Sequence, residues 1–204
     1  MNNNSRDKII EIALLLSLKN GFDRVSIKKI QEESGLAAGS IYYHFKDKNE
    51  ILECMVNEYI IDNYDEFKET IRNLDCSFME KIKFISIYKT TSFNKKQIQS
   101  NSLTMPQFNH KDYFILLMSI YHQYDEVRHM FHDMHLDLYD FYHELIQEAI
   151  EKKEIKDDVD IDTLNIFIQT FLIGYLSLWR NYPNLQIEKI IDANIQMVWE
   201  SIKR

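Results

Sequence analysis

Four glycines and two prolines in 204 residues leave too little turn chemistry for an all-β fold, which needs such residues between each pair of short strands. The two cysteines, Cys54 and Cys76, have neither zinc-site spacing nor the pattern of a disulfide framework, and they read as reduced thiols of a cytosolic protein. The most apolar run, residues 164–179, is interrupted by Asn165, Gln169 and Thr170 and falls short of the roughly 20 residues a membrane span requires. The leader MNNNSRDK lacks the apolar stretch of an export signal. A phosphate-binding Gly loop, a dinucleotide turn, HExxH and G-x-S-x-G are all missing. The expectation is a cytoplasmic, all-α chain without enzymatic activity, cofactor or membrane contact.

The net charge of −8 argues against a general nucleic-acid binder, yet it is unevenly spread. Residues 1–50 hold eight Lys/Arg against seven Asp/Glu, a balance of +1, which leaves −9 for the other 154 residues. The head tolerates phosphates and the body repels them.

Helical periodicity accounts for most of the chain. Residues 6–19 carry Ile9, Ala13 and Leu16 on one stripe, with Gly21 as a stop. Ser26 is placed to cap a short helix over 27–33, Gly35 breaks it, and a second short helix follows over 38–44. A long helix starts near Lys48 and carries Ile51, Leu52, Met55, Tyr59 and Phe67. Phe78, Ile82, Ile85 and Tyr88 form another stripe. The polar segment around Pro106 reads as irregular or as a short helix, and 111–153 reads as helical with a break near 122. Residues 160–182 are apolar nearly all round, so that helix must be covered on more than one side. Pro183 ends it, and 186–203 form a last amphipathic helix.

Residues 26–44 contain the parts of a helix-turn-helix. Ile30, Leu36 and Ile41 serve as contacts between its helices, and Ala37, Ala38, Gly39, Ser40 and Tyr43 face outward. The run "SGLAAGSIYYHFKDKNEIL", together with "NGF" and "VSIKKI", resembles the DNA-binding head of the TetR family of transcriptional repressors over Arg6 to Leu52. Beyond residue 52 only architecture agrees.

The resemblance implies a three-helix head over 1–48 and a helical effector-binding and dimerisation body over 49–204. It implies that Tyr42, Tyr43 and His44 approach the DNA backbone, that Lys48 binds a phosphate with help from its helix dipole, and that Ser26 and Lys28 hold phosphates. Ala37, Ala38, Gly39 and Ser40 would lie against base edges. Several positions depart from the family pattern. Ala37 replaces a capping Ser or Thr, Ala38 a frequent Lys or Pro, Gln31 a small Ala and Ser17 a Phe. With no Arg or Lys at the recognition-helix tip, the expectation is apolar contact with thymine methyls and A/T-rich half-sites. The competing structural reading is that Gly35 and the aromatics merely build a three-helix core, which leaves Tyr42, Tyr43, His44, Lys46 and Lys48 clustered without purpose.

In the body, half of the 24 Phe and Tyr residues fall between Phe84 and Tyr142, and six of the seven histidines lie between His110 and His143. An aromatic cavity of this kind suits a sensor of small organic molecules, and a solid helical core is the alternative. Tyr88, Tyr113, Tyr121, Tyr124, Phe171 and Tyr175 are the candidate lining. The two closing helices are expected to form a homodimer seam as a four-helix bundle through Phe167, Gly174, Trp179, Ile195, Val198, Trp199 and Ile202. No metal site is assigned; Asp125, His129 and His132, at i, i+4 and i+7, are the candidates for a divalent ion.

The function expected is a ligand-responsive regulator, a repressor, that binds a palindromic double-stranded DNA operator as a dimer and is released by a small-molecule effector. The alternatives are a helical binding module and a regulator that senses a divalent metal.

Overall fold

The structure is a computed structural model, and it describes residues 3–91, 110–182, 184 and 186–204. The described chain is built of helices: α1 (Asn3–Asn20), a 3₁₀ turn (Phe22–Arg24), α2 (Ile27–Ser34), α3 (Ala38–His44), α4 (Lys48–Val56), a π-turn (Asn57–Ile61), α5 (Asp62–Arg72), α6 (Phe78–Thr91), α7 (His110–Gln123), α8 (Asp125–Glu151), α9 (Ile161–Asn181) and α10 (Ile187–Ile202). The only extended pairing among the described residues is an isolated antiparallel bridge between Ile155 and Lys203. No described helix is long and apolar enough to cross a membrane. The fold is all-α, a helix-turn-helix head followed by a helical body. The polar segment around Pro106 and the stop at Pro183 lie outside the described residues.

Two compact units divide the chain, one drawn from Met1–Asp65 with Phe93–Met134 and the other from Glu66–Ser92 with His135–Arg204. In the first, α1 is buried nearly all round through Ile9, Ile10, Ile12, Ala13, Leu14 and Leu15, because it packs against α2, α3, α4 and α7 at once. Ser17, where a large aromatic side chain is usual in the resembled family, is fully enclosed and returns its hydroxyl to the Ala13 carbonyl at 2.5 Å. That bond removes the desolvation cost of a polar group in the core.

The helix that begins at Lys48 does not run uniformly to Arg72. Its winding loosens over Asn57–Ile61 into one π-turn, a form that inserts an extra residue into an α-helix and is frequent at functional sites. Tyr113 of α7 donates its hydroxyl to the Tyr59 carbonyl of that turn at 3.1 Å.

In the second unit α6 packs on α9 and α10. Ile82 and Ile85 of α6 and Ile191, Ile195, Val198 and Ile202 of α10 are buried there. Charged ties cross the same region. Lys83 pairs with Asp192 at 2.7 Å, and Lys81, itself buried, reaches Glu148 at 3.3 Å. On α9, Asn165 is fully buried yet satisfied: its amide donates to the Tyr139 carbonyl at 2.8 Å and its oxygen accepts from Gln169 at 2.8 Å.

Candidate nucleic-acid interface

The helix-turn-helix is assembled by local chemistry, residue by residue. Ser26 accepts a hydrogen bond from the Lys29 amide at 3.2 Å and so caps α2, satisfying one of the orphan donors of its first turn. Gly35 ends α2 with φ of 67°, in the left-handed region, and its amide returns to the Gln31 carbonyl at 3.0 Å. A side chain is disfavoured in that conformation, so glycine is the residue that turns the chain here. Ile30 and Ile41 are fully buried between the helices, whereas Leu36 is only half-buried.

Helix α3 begins at Ala38 with Ala37 in the capping position and no side-chain cap, as the missing Ser or Thr predicts. Its outer face carries Ala37, Gly39, Tyr42 and Tyr43, all exposed, with Ala38, Ser40 and His44 half-exposed. Tyr42 is 58% exposed and Tyr43 72%, and Tyr43 meets His44 edge to face at 5.0 Å. A methyl group added at Gly39 would meet nothing within 4 Å among the described residues. The protomer itself therefore does not require a glycine at that position.

Helix α4 begins with a cap that the sequence displays as "DKNE". The Asp47 carboxylate accepts from the amides of Asn49 at 2.9 Å and Glu50 at 3.0 Å, while Glu50 reaches back to the Lys46 amide at 2.6 Å. Asp47 is thus the N-cap of α4, and Glu50 ties down the amide of the residue before the cap rather than that of the cap itself; neither residue is among the site candidates of the sequence.

Lys28 lies exposed beside Glu32 at 3.7 Å, and Lys48 occupies a different setting. Its ammonium stands 4.4 Å above the centre of the Phe22 ring and donates to the Asp23 carbonyl at 3.3 Å. Burial lowers its pKa, with the nearby Asp23 charge acting against that shift.

The residues expected to line an effector cavity pack against protein neighbours. Tyr113 holds the π-turn, Tyr121 meets Phe131 at 5.9 Å, and Tyr124 meets Phe22 of the head edge to face at 5.3 Å. Phe171 and Tyr175 meet edge to face at 5.4 Å. The side chains of Tyr88 and Trp179 lie outside the described residues. An open cleft of about 390 Å³ in the first unit is lined, among the described residues, by Arg6, Glu53, Cys54, Asn57, Glu58, His129 and Met130, and by none of the five expected aromatics whose side chains are described. Burial pushes the Cys54 thiol up, against the pull of the Arg6 guanidinium, which donates to its sulfur at 3.2 Å. Of the metal candidates, Asp125 pairs with Arg128, and His129 and His132 are exposed. No group of three ligating side chains converges among the described residues.

The residues expected in the dimer seam divide between two settings. Ile195, Val198 and Ile202 are at most 9% exposed, on a helix that packs against α6 of its own chain. Trp199 is half-buried. Phe167 and Gly174 stand on a different face of α9. Leu164, Asn165, Ile168, Leu172 and Tyr175 are buried on one side, and Ile166, Phe167, Ile173 and Leu178 are about half exposed on the other. At about 100° per residue, Gly174 falls within that exposed stripe.

Residues 9–55 match the family described as bacterial regulatory proteins, tetR family. An HTH-type transcriptional regulator of Staphylococcus aureus (strain USA300) is 26% identical over 192 residues, which covers 91% of this chain and 94% of the relative. The HTH-type transcriptional regulator AcrR of Shigella flexneri is 22% identical over 182 residues, covering 88% of this chain and 80% of AcrR. Among solved structures, a TetR-family regulator from Cytophaga hutchinsonii shares the fold with a TM-score of 0.75 at 15% identity, over 99% of this chain and 96% of that one. Reduced NemR of E. coli does so with 0.74 at 11% identity, over 95% of each. A head that matches the tetR-family model over residues 9–55, HTH-type regulators that align over most of their length and an all-α fold shared with TetR-family structures all support a likeness to the TetR family of transcriptional regulators.

Proposed function

We propose that this regulator is a cytoplasmic, ligand-responsive repressor that binds a palindromic operator as a homodimer and is released by a small organic effector. Residues 1–48 take the DNA, and residues 49–204 take the effector and the second subunit. The observation that carries the reading is the outer face of α3. Ala37, Ala38, Gly39 and Ser40 form a side-chain-poor surface flanked by exposed Tyr42 and Tyr43, and Gly39 is small for no reason internal to the protomer. Small residues let the α3 backbone approach base edges closely, while Tyr42, Tyr43 and His44, with Ser26 and Lys28 from α2, engage phosphates. With no basic side chain at the tip, thymine methyls and DNA shape supply the sequence preference.

Dimerisation is assigned to the exposed apolar face of α9, through Ile166, Phe167, Ile173, Gly174 and Leu178, with Met197 of α10 beside it in kind, since it is exposed as well. A stripe of this size left to water is unusual for a surface helix. Gly174, like Gly39, has no described neighbour within 4 Å of where a side chain would stand, which fits a helix that another copy approaches closely. Two recognition helices about one DNA turn apart, ~34 Å, would then read the two half-sites.

The test is a gel shift of the full chain against the DNA flanking its own gene, repeated at rising salt. Specific retardation that weakens with salt is expected; its absence sinks the repressor reading. Mass spectrometry of small molecules extracted from the purified protein, followed by release of DNA on adding back the compound found, tests the effector half.

A further inference from the structure

Phe22 is 1% exposed, in the turn after α1. Two groups from distant parts of the sequence meet its ring: the Lys48 ammonium over the face at 4.4 Å, and the Tyr124 ring edge-on at 5.3 Å. Tyr124 is the single residue between α7 and α8. Its amide bonds to the Ile120 carbonyl at 3.0 Å, and its own carbonyl receives the Val127 amide at 3.4 Å. It therefore belongs to the ends of both helices, and a change in the angle between them moves its ring. A second tie within the same unit runs from the side-chain amide of Asn49 to the Glu126 carboxylate at 3.1 Å. The cation over the ring is a favourable contact in its own right, so Lys48 has a defined resting place before any DNA arrives.

We propose that Tyr124 is a positioning residue for DNA binding: through Phe22 it sets where Lys48 stands, and Lys48 exchanges the Phe22 ring and the Asp23 carbonyl for a DNA phosphate when the head docks. The proposal rests on the DNA-binding reading above. It gives the break between α7 and α8 a direct line to a phosphate-binding group, with no requirement that α3 itself change.

The test uses the full chain with Tyr124→Leu, Tyr124→Met, Tyr124→Phe, Lys48→Met and the Tyr124→Leu/Lys48→Met double variant. Binding to the DNA flanking the gene is measured by fluorescence anisotropy between about 50 and 200 mM salt, and the Lys48 ε-methylene signal is followed by NMR. Tyr124→Leu and Tyr124→Met are expected to weaken binding about 10-fold, a loss of the size that one positioned contact supplies, while Tyr124→Phe, which keeps the ring, changes it less than about 2-fold. Lys48→Met is expected to lower the salt slope by about two in a dimer, one phosphate per subunit, and in that background Tyr124→Leu adds less than about 2-fold. In the free protein the Lys48 methylene resonates upfield under the Phe22 ring, and the signal relaxes on adding DNA and in Tyr124→Leu. An equal loss from Tyr124→Leu in both backgrounds, no loss at all, or a Lys48 signal indifferent to Tyr124 overturns the positioning role. Failure of the wild-type chain to bind any DNA specifically overturns the proposed function and this role with it, while the Lys48 signal of the free protein reports separately whether the stack exists.

Discussion

The Asp47→Ala substitution removes the acceptor for two amides at the start of α4, those of Asn49 and Glu50. Loss of an Asp cap costs about 1 kcal/mol, within a range of roughly 0.5–2. The negative charge at the helix N-terminus adds about 0.3–1 kcal/mol at an exposed site and low salt. Together these give about 1.5 kcal/mol for Ala. Asp47→Asn keeps the acceptor geometry and loses only the charge, so about 0.5 kcal/mol is expected, shrinking as salt rises. Urea unfolding followed by circular dichroism, at one fixed protein concentration because assembly adds to apparent stability, reads both. With a slope of about 3 kcal/mol/M, Ala lowers the midpoint by about 0.5 M and Asn by less than about 0.2 M. The Glu50 contact to the Lys46 amide at 2.6 Å should hold the turn partly in place in both variants. Equal midpoints for Asp47→Ala and wild type would refute the Asp47 cap as a stabilising contact. Equal losses for Ala and Asn would show that charge, rather than the hydrogen-bond geometry, does the work.

Other outcomes concern the body. The Glu148 carboxyl is held below its ordinary range, first by the hydrogen bond from Lys152 and then by Lys81; a depressed carboxylate stabilises above its unfolded pKa and loses that contribution as pH falls through its folded one. Glu148→Gln should therefore cost about 1 kcal/mol near neutral pH, a figure reduced for the exposure of the carboxylate, and the gap to wild type should close below about pH 4 in urea titrations at stepped pH. Ile173→Glu places a charge in the exposed α9 stripe and should shift the chain to monomers in sedimentation velocity at micromolar concentration, where an uncompensated buried charge costs several kcal/mol; an unchanged dimer refutes that face as the seam. Tyr113→Phe removes one hydrogen bond to the π-turn, worth about 1 kcal/mol, and amide exchange over residues 59–64 should quicken about 5-fold while the amides of α2 and α3 stay as they were.

The sequence is most legible where a residue's own backbone chemistry sets the structure. Ser26 and Gly35 mark both ends of α2 because a hydroxyl cap and a left-handed glycine act within a few residues of themselves, and α3 runs over 38–44 as its short apolar spacing predicts. The break expected near 122 stands at Tyr124. What periodicity does not carry is the identity of the partner. The stripe through Ile195, Val198 and Ile202 is apolar whether it meets α6 of its own chain or a second copy, and only packing shows that it meets α6. Tyr124 is aromatic whether it lines a cavity or backs Phe22. Lys48 stands at the head of α4 as expected, but its ring contact depends on a turn 26 residues earlier, and no local pattern in "FDR" or "KNE" announces it.

The π-turn at Asn57–Ile61 also bears on how this chain can vary in length. A helix that carries one residue beyond the α repeat is already out of step, and each added or removed residue rotates the downstream helix by about 100° about the axis. Deleting a single residue between 57 and 61 would thus restore regular winding, and the Asp62 amide, which now bonds to the Asn57 carbonyl five residues back, would return to the ordinary ladder. At this point in the chain, a one-residue deletion is a change of phase rather than a loss of structure.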